Sequence, residues 1–153
     1  METRGRITVL GIGNPLCRDD GIGIRVVAEM RESGRYPEID IIDGGASPDL
    51  FSLPDTDSGK LIIVDALRGG GRPGEIYRLK LGAENIADDT PASLHAMGIL
   101  DSLKLMKHLG RYPPAVIIIG IEPADVSHGL RLSPSIEALV PDLIKAVEEE
   151  LCS

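Results

Sequence analysis

The stretch Ile7–Gly34, ITVLGIGNPLCRDDGIGIRVVAEMRESG, decides the fold class. Ile7–Ile12 is an apolar, partly β-branched run of strand length, interrupted by glycine only near its end. Gly21–Ser33 then carries Ile24, Val27 and Met30 at helical spacing, and Gly34 stands where a left-handed residue stops a helix. Strand, glycine-rich turn and helix in immediate succession open a βαβ unit, and with it a parallel sheet.

The rest of the chain continues the theme. Further strands are expected at Ile39–Ile42, Leu61–Val64, Glu75–Leu79 and Val116–Ile121, the fourth preceded by the turn Gly71–Gly74. Runs apolar on both faces suit central strands covered on both sides. Ser93–Leu109 places Leu94, Met97, Leu100, Leu103 and Met106 on one helical stripe, stopped by Gly110. Ser133 before Pro134 is a cap followed by a first-turn proline. The helix it opens runs past Val147, and Pro141 must kink or break it. Ser52–Lys60 and Gly82–Ala92 read as polar surface loops. The expected architecture is α/β: a single domain over residues 1–153, with a mostly parallel twisted sheet of about five strands sandwiched between helices.

Composition narrows the function. A chain of 153 residues buries enough surface to fold without a disulfide or structural zinc. Aromatics are 3%, so the core is aliphatic and stacking platforms for single-stranded nucleic acid are missing. A net charge of -8 opposes phosphate backbones and anionic membranes but suits cations and basic segments. Cys17 and Cys152 lie far apart and form no CxxC, which fits a reduced protein. No targeting or membrane-spanning segment is legible, so a cytoplasmic monomer that binds neither nucleic acid nor membrane is expected.

Ligand sites of open α/β sheets form at the carboxyl ends of the strands. Here those ends supply Asp19 and Asp20, Asp43 before Gly44-Gly45, Asp65, and Glu122. His95 lies in the first turn of the Ser93–Leu109 helix, and its approach to the rim depends on the loop before it. Like charges a few Å apart need a proton or a cation between them. The cluster therefore suits a carboxylate pair sharing a proton, or a divalent metal held by one imidazole and two carboxylates. Ordinary roles compete. Asp19 and Asp20 stand where acids serve a helix N-terminus, and Asp43 stands where an Asx turn forms. Glu122 and His95 have surface or core alternatives. Asp65 is the hardest to explain structurally, because a carboxylate ending a buried strand needs a partner. His108 and His128 have no acidic neighbour in sequence and are read as structural. Cys17 has no adjacent base and is not assigned as a nucleophile. Gly11-Ile-Gly13 is not a dinucleotide fingerprint, since Leu16 holds the position of its third glycine.

The ordered set Gly11-Ile-Gly-Asn-Pro-Leu-Cys-Arg-Asp-Asp-Gly-Ile-Gly23, Asp43-Gly-Gly45, Leu61-Ile-Ile-Val-Asp-Ala66 and Pro73-Gly74 resembles the hydrogenase maturation endopeptidases. Ser93-Leu-His95-Ala-Met-Gly98 looks like that family's histidine region. The resemblance implies a sheet between helices and removal of a C-terminal extension from the nickel-loaded large-subunit precursor of a nickel–iron hydrogenase. It implies Asp20, Asp65 and His95 as ligands of a divalent metal. That metal would be nickel presented by the precursor, with zinc or cadmium able to substitute in vitro. Asp20, Asp65 and Asp43 would be the catalytic carboxylates, with the residue that activates water left open between an aspartate and the metal. Three departures stand out: Asp20 where the family often has Glu, Ala46 where it has Thr, and the glycine-rich segment Arg68–Gly71. Two other readings fit parts of the pattern. A non-catalytic metal-binding chaperone would share the ligands. A receiver-like phospho-acceptor would need a lysine where Glu122-Pro123 stand.

Overall fold

The computed structural model describes residues 6–53, 59–86 and 97–152. Its strands are β1 (Ile7–Gly11), β2 (Asp40–Asp43), β3 (Lys60–Ala66), β4 (Ile76–Lys80) and β5 (Ala115–Ile121). Its helices are α1 (Ile22–Ser33), α2 (Met97–His108), α3 (Pro134–Glu137) and α4 (Val140–Leu151). The strands form one sheet in the order β2-β1-β3-β5-β4, parallel throughout except for β4, which runs antiparallel to β5. This is the mostly parallel five-stranded sheet that the chain's punctuation implied.

Burial follows the two-residue period of the strands and sorts the helices onto two faces. Val9, Ile62, Val64, Ile117 and Ile119 pack with Val26, Val27 and Met30 of α1 and Leu143 and Val147 of α4. Leu10, Leu61, Ile63, Val116 and Ile118 pack on the other side with Ile99, Leu103 and Met106 of α2. Continuing the row Leu61–Ile63 by one more step reaches Asp65, so that carboxylate belongs to the α2 face.

Local signals behave mostly as expected. Gly34 adopts φ 65° at the end of α1. The expected final helix is broken: α3 ends at Glu137, and Pro141 falls in the first turn of α4, where a missing N–H costs nothing. Ser133 stands at the N-cap of α3 but makes no capping bond; its hydroxyl donates to the Asp19 carboxylate. The helix expected at Ser93–Leu109 is described from Met97 onward, and its opening residues lie outside the described ones.

Two glycines place the first loop. A side chain at Gly13, which has φ 147°, would meet the Asp20 carbonyl oxygen at 1.9 Å. One at Gly23 would meet the Val64 carbonyl at 2.1 Å. The loop after β1 therefore folds back on itself, and α1 starts directly against the end of β3.

Candidate active site

At the carboxyl end of β3, Asp65 is 4% exposed. Its Oδ1 accepts the Ala66 N–H at 2.8 Å, and among the described residues it has no other partner. Burial pushes its carboxyl up to about 8; the nearby charge of Asp20 acts in the same direction, and the Ala66 N–H opposes both. Asp20 is also buried, in a short 3-10 turn, Arg18–Gly21, ahead of α1. Its Oδ2 accepts the Asn14 N–H at 3.1 Å. The backbone of this loop is tied to the sheet by the Ile12 N–H, which donates to the Val64 carbonyl at 2.9 Å. Asp20 and Asp65 thus come from different segments and feel each other's charge at one rim.

The other acids expected at that rim behave differently. Asp43 ends the edge strand β2, with β1 between it and β3, and is exposed. Its Oδ1 accepts the Gly45 N–H at 2.9 Å, which is an Asx turn. Asp19 lies in the first turn of the Arg18–Gly21 3-10 helix, as its position in the sequence allowed, but its carboxylate is engaged elsewhere. It is 0% exposed, and its carboxylate accepts the N–H groups of Ala124, Asp125 and Ser133 and the Ser133 hydroxyl, at 2.7–2.9 Å. Glu122, just past β5, accepts the N–H groups of Gly69 and Gly71 and the Tyr77 hydroxyl on Oε1, at 2.9–3.0 Å. The pair of clamps holds two loops, the 124–133 segment and the glycine-rich segment after β3, against the site. Neither role was assigned from sequence. The traces available there were Ser133 beside Pro134, and a run of three glycines facing an acid at the end of β5.

His95 lies outside the described residues, two positions before α2 begins. Among the described residues no group of three His, Cys, Asp or Glu side chains is placed to hold a metal ion. The donors present, two buried carboxylates, are hard oxygen ligands that would supply only part of a divalent-cation shell. Cys17 is a half-buried free thiol whose backbone pairs with that of Gly129, and Cys152 is exposed and also free. No described helix is long and apolar enough to cross a membrane.

Chemically, a buried carboxylate whose proton is released near neutral pH, beside a second carboxylate, can exchange that proton for a cation or pass it to and from water. The chain as a whole is similar to known hydrogenase maturation proteases. The model of the hydrogenase maturation protease family matches residues 24–150. A hydrogenase expression/formation protein of Rhodobacter capsulatus is 31% identical, over 95% of this chain and 71% of its own length. The hydrogenase maturating endopeptidase HybD of Escherichia coli superimposes with a TM-score of 0.80 at 28% identity, covering 95% of this chain and 91% of that one. A hydrogenase 2 maturation peptidase from a Thaumarchaeota archaeon superimposes with a TM-score of 0.76 at 30% identity, covering 95% and 97%. With a family model spanning most of its length and solved peptidases sharing its sheet, this chain belongs to the hydrogenase maturation protease family.

Proposed function

We propose that this peptidase removes the C-terminal extension from the nickel-loaded large-subunit precursor of a nickel–iron hydrogenase, in the cytoplasm, with Asp20 and Asp65 at the reacting centre. One observation carries the assignment of the centre. Asp65 is buried, accepts a single hydrogen bond from the described residues, and has its carboxyl pushed up to about 8 beside Asp20. Asp19, buried near the same rim, accepts four hydrogen bonds, whereas Asp65 keeps most of its acceptor capacity open among the described residues. Asp65 is set up to lose a proton when a cation arrives.

Asp20, Asp65 and His95 would hold the nickel that the precursor presents. Asp65 lies in the row of β3 that faces α2, the helix that follows His95 in sequence. The ion would polarise the scissile carbonyl and offset the negative charge that develops there. Asp65, once ionised, would accept a proton from the attacking water. Asp43 is the alternative base. Its Oδ1 is already occupied by Gly45, and it lies one strand further from Asp65, so the geometry favours Asp65. His95 would bind as neutral imidazole, so activity falls as it protonates.

The test is intact-mass analysis of a nickel-loaded precursor incubated with the wild-type chain or with Asp20→Asn. Loss of a C-terminal peptide with the wild type alone is the expected result. An intact precursor, from a preparation that another maturation peptidase does process, would overturn the assignment of client.

A further inference from the structure

The molecule keeps an apolar surface beside Asp20 that the reaction itself does not use. A groove of about 610 Å³ runs between the outer face of α1, where Ile24 and Ala28 line it, and the segment Leu130–Leu132. Pro15 and Gly21, from the loop that carries Asp20, close its end. Leu130 is 80% exposed and Leu16 59%. These two leucines stand on adjoining segments, because the Gly129 N–H donates to the Leu16 carbonyl at 2.9 Å.

Their exposure is not that of a slack loop. The Gly129 carbonyl accepts the Arg18 N–H, and the Asp19 carboxylate binds the same segment at Ala124, Asp125 and Ser133. Leu16 and Leu130 stand on a clamped backbone beside the apolar groove, and together they make a contiguous apolar patch of the kind that marks a contact surface. The charges of the groove also have a direction. Arg25 is engaged by Glu29 and Glu137, whereas Arg131 makes no hydrogen bond or ion pair among the described residues. The surface therefore offers apolar side chains and one uncommitted guanidinium, in a chain that is otherwise acidic.

We infer that this groove docks the hydrogenase large-subunit precursor, through an apolar segment of that client that carries a carboxylate. The inference rests on the processing reading above. It adds a reason for specificity: contacts remote from the scissile bond position the client against Asp20. The Asp19 clamp makes groove wall and Asp20 loop one unit, so a client seated on Leu130 meets the carboxylates in fixed register.

The experiment measures binding and processing of a purified nickel-loaded precursor by the full chain and by Leu130→Asp, Arg131→Glu and Leu109→Asp. Leu109, 56% exposed, follows α2 on the opposite side of the sheet and serves as control. Leu130→Asp should weaken client binding about tenfold or more, with the loss appearing in KM. Arg131→Glu should weaken it by about threefold and flatten its salt dependence. Leu109→Asp should match the wild type in both readouts. Binding of the client by Leu130→Asp at wild-type strength overturns the docking site, as does a wild type that binds no precursor. Self-association abolished by Leu130→Asp with client binding intact overturns it in favour of a second copy of this chain. A wild type that binds through Leu130 but cleaves nothing supports the groove and sinks the processing reading instead.

Discussion

Asp19 and Asp65 are both buried aspartates near the same rim, and their surroundings are opposite. Asp19 accepts from three backbone N–H groups and one hydroxyl, close to the full capacity of a carboxylate. Asp65 accepts from one N–H and feels the charge of Asp20. The first is a structural acid whose donors repay its desolvation. The second is left with acceptor capacity that the described residues do not fill, at a depth where that capacity is costly. Burial does not separate the two. What separates them is how many donors the fold supplies, and that number divides anchor from reacting group.

The largest effect that could break this contrast is on cleavage. Asp65→Asn and Asp20→Asn should each lower processing by about 10³-fold or more, the loss expected when a group of the reacting centre is removed. Thermal unfolding followed by circular dichroism should show Asp65→Asn no less stable than the wild type, since it removes an acid that the fold must keep protonated. Asp19→Ala should do the reverse. Stranding buried N–H groups should cost about 3 kcal/mol, a fall on the order of 10 °C in Tm for a chain of this size. An Asp19→Ala variant of native stability that has lost only activity would erase the distinction.

The pH dependence sharpens it further. Folded Asp65 keeps its proton until about pH 8, whereas in the unfolded chain an aspartate releases it near 4. The native state therefore holds more protons across that window, and stability falls as pH rises through it. The wild type minus Asp65→Asn difference in metal-free denaturant unfolding should decline by up to about 1.4 kcal/mol per pH unit there and level off above. A flat difference would show that Asp65 ionises normally. Glu122→Gln keeps one oxygen for Gly69, Gly71 and Tyr77 and should cost about 1 kcal/mol in the same titration. Asp43→Asn should be smallest, within about 0.5 kcal/mol, because asparagine supports an Asx turn equally well. A large loss of cleavage by that variant would restore Asp43 as the base.

Much of the fold was legible because its signals are local. Strand length, glycine stops and the proline at 141 act within a few residues, and the structure repeats them at Gly34 and at the break before α4. The order of the strands and the pairing of β4 against β5 are long-range, and periodicity carries no trace of either. The site divides in the same way. Asp65 could be singled out because an acid at the end of an apolar run is locally anomalous. Asp19 and Asp20 are separated in the sequence only by the family resemblance and not by any local signal: identical side chains on adjacent residues face different neighbours, and the donors that satisfy Asp19 come from residues 124–133. Glu122 was hidden likewise, since its partners depend on how the glycine-rich segment curls back.

The two edge strands of the sheet carry a consequence for how copies of the molecule meet in solution. β2 is four residues long with an aspartate at each end, and β4 runs antiparallel with Arg78 and Lys80 along it, Arg78 paired to Glu149 and Glu150 of α4. Short, charged margins are poor templates for another chain to add itself as a strand. Another copy of this chain therefore gains little by pairing along either margin, and concentrated solutions are protected against edge-to-edge aggregation.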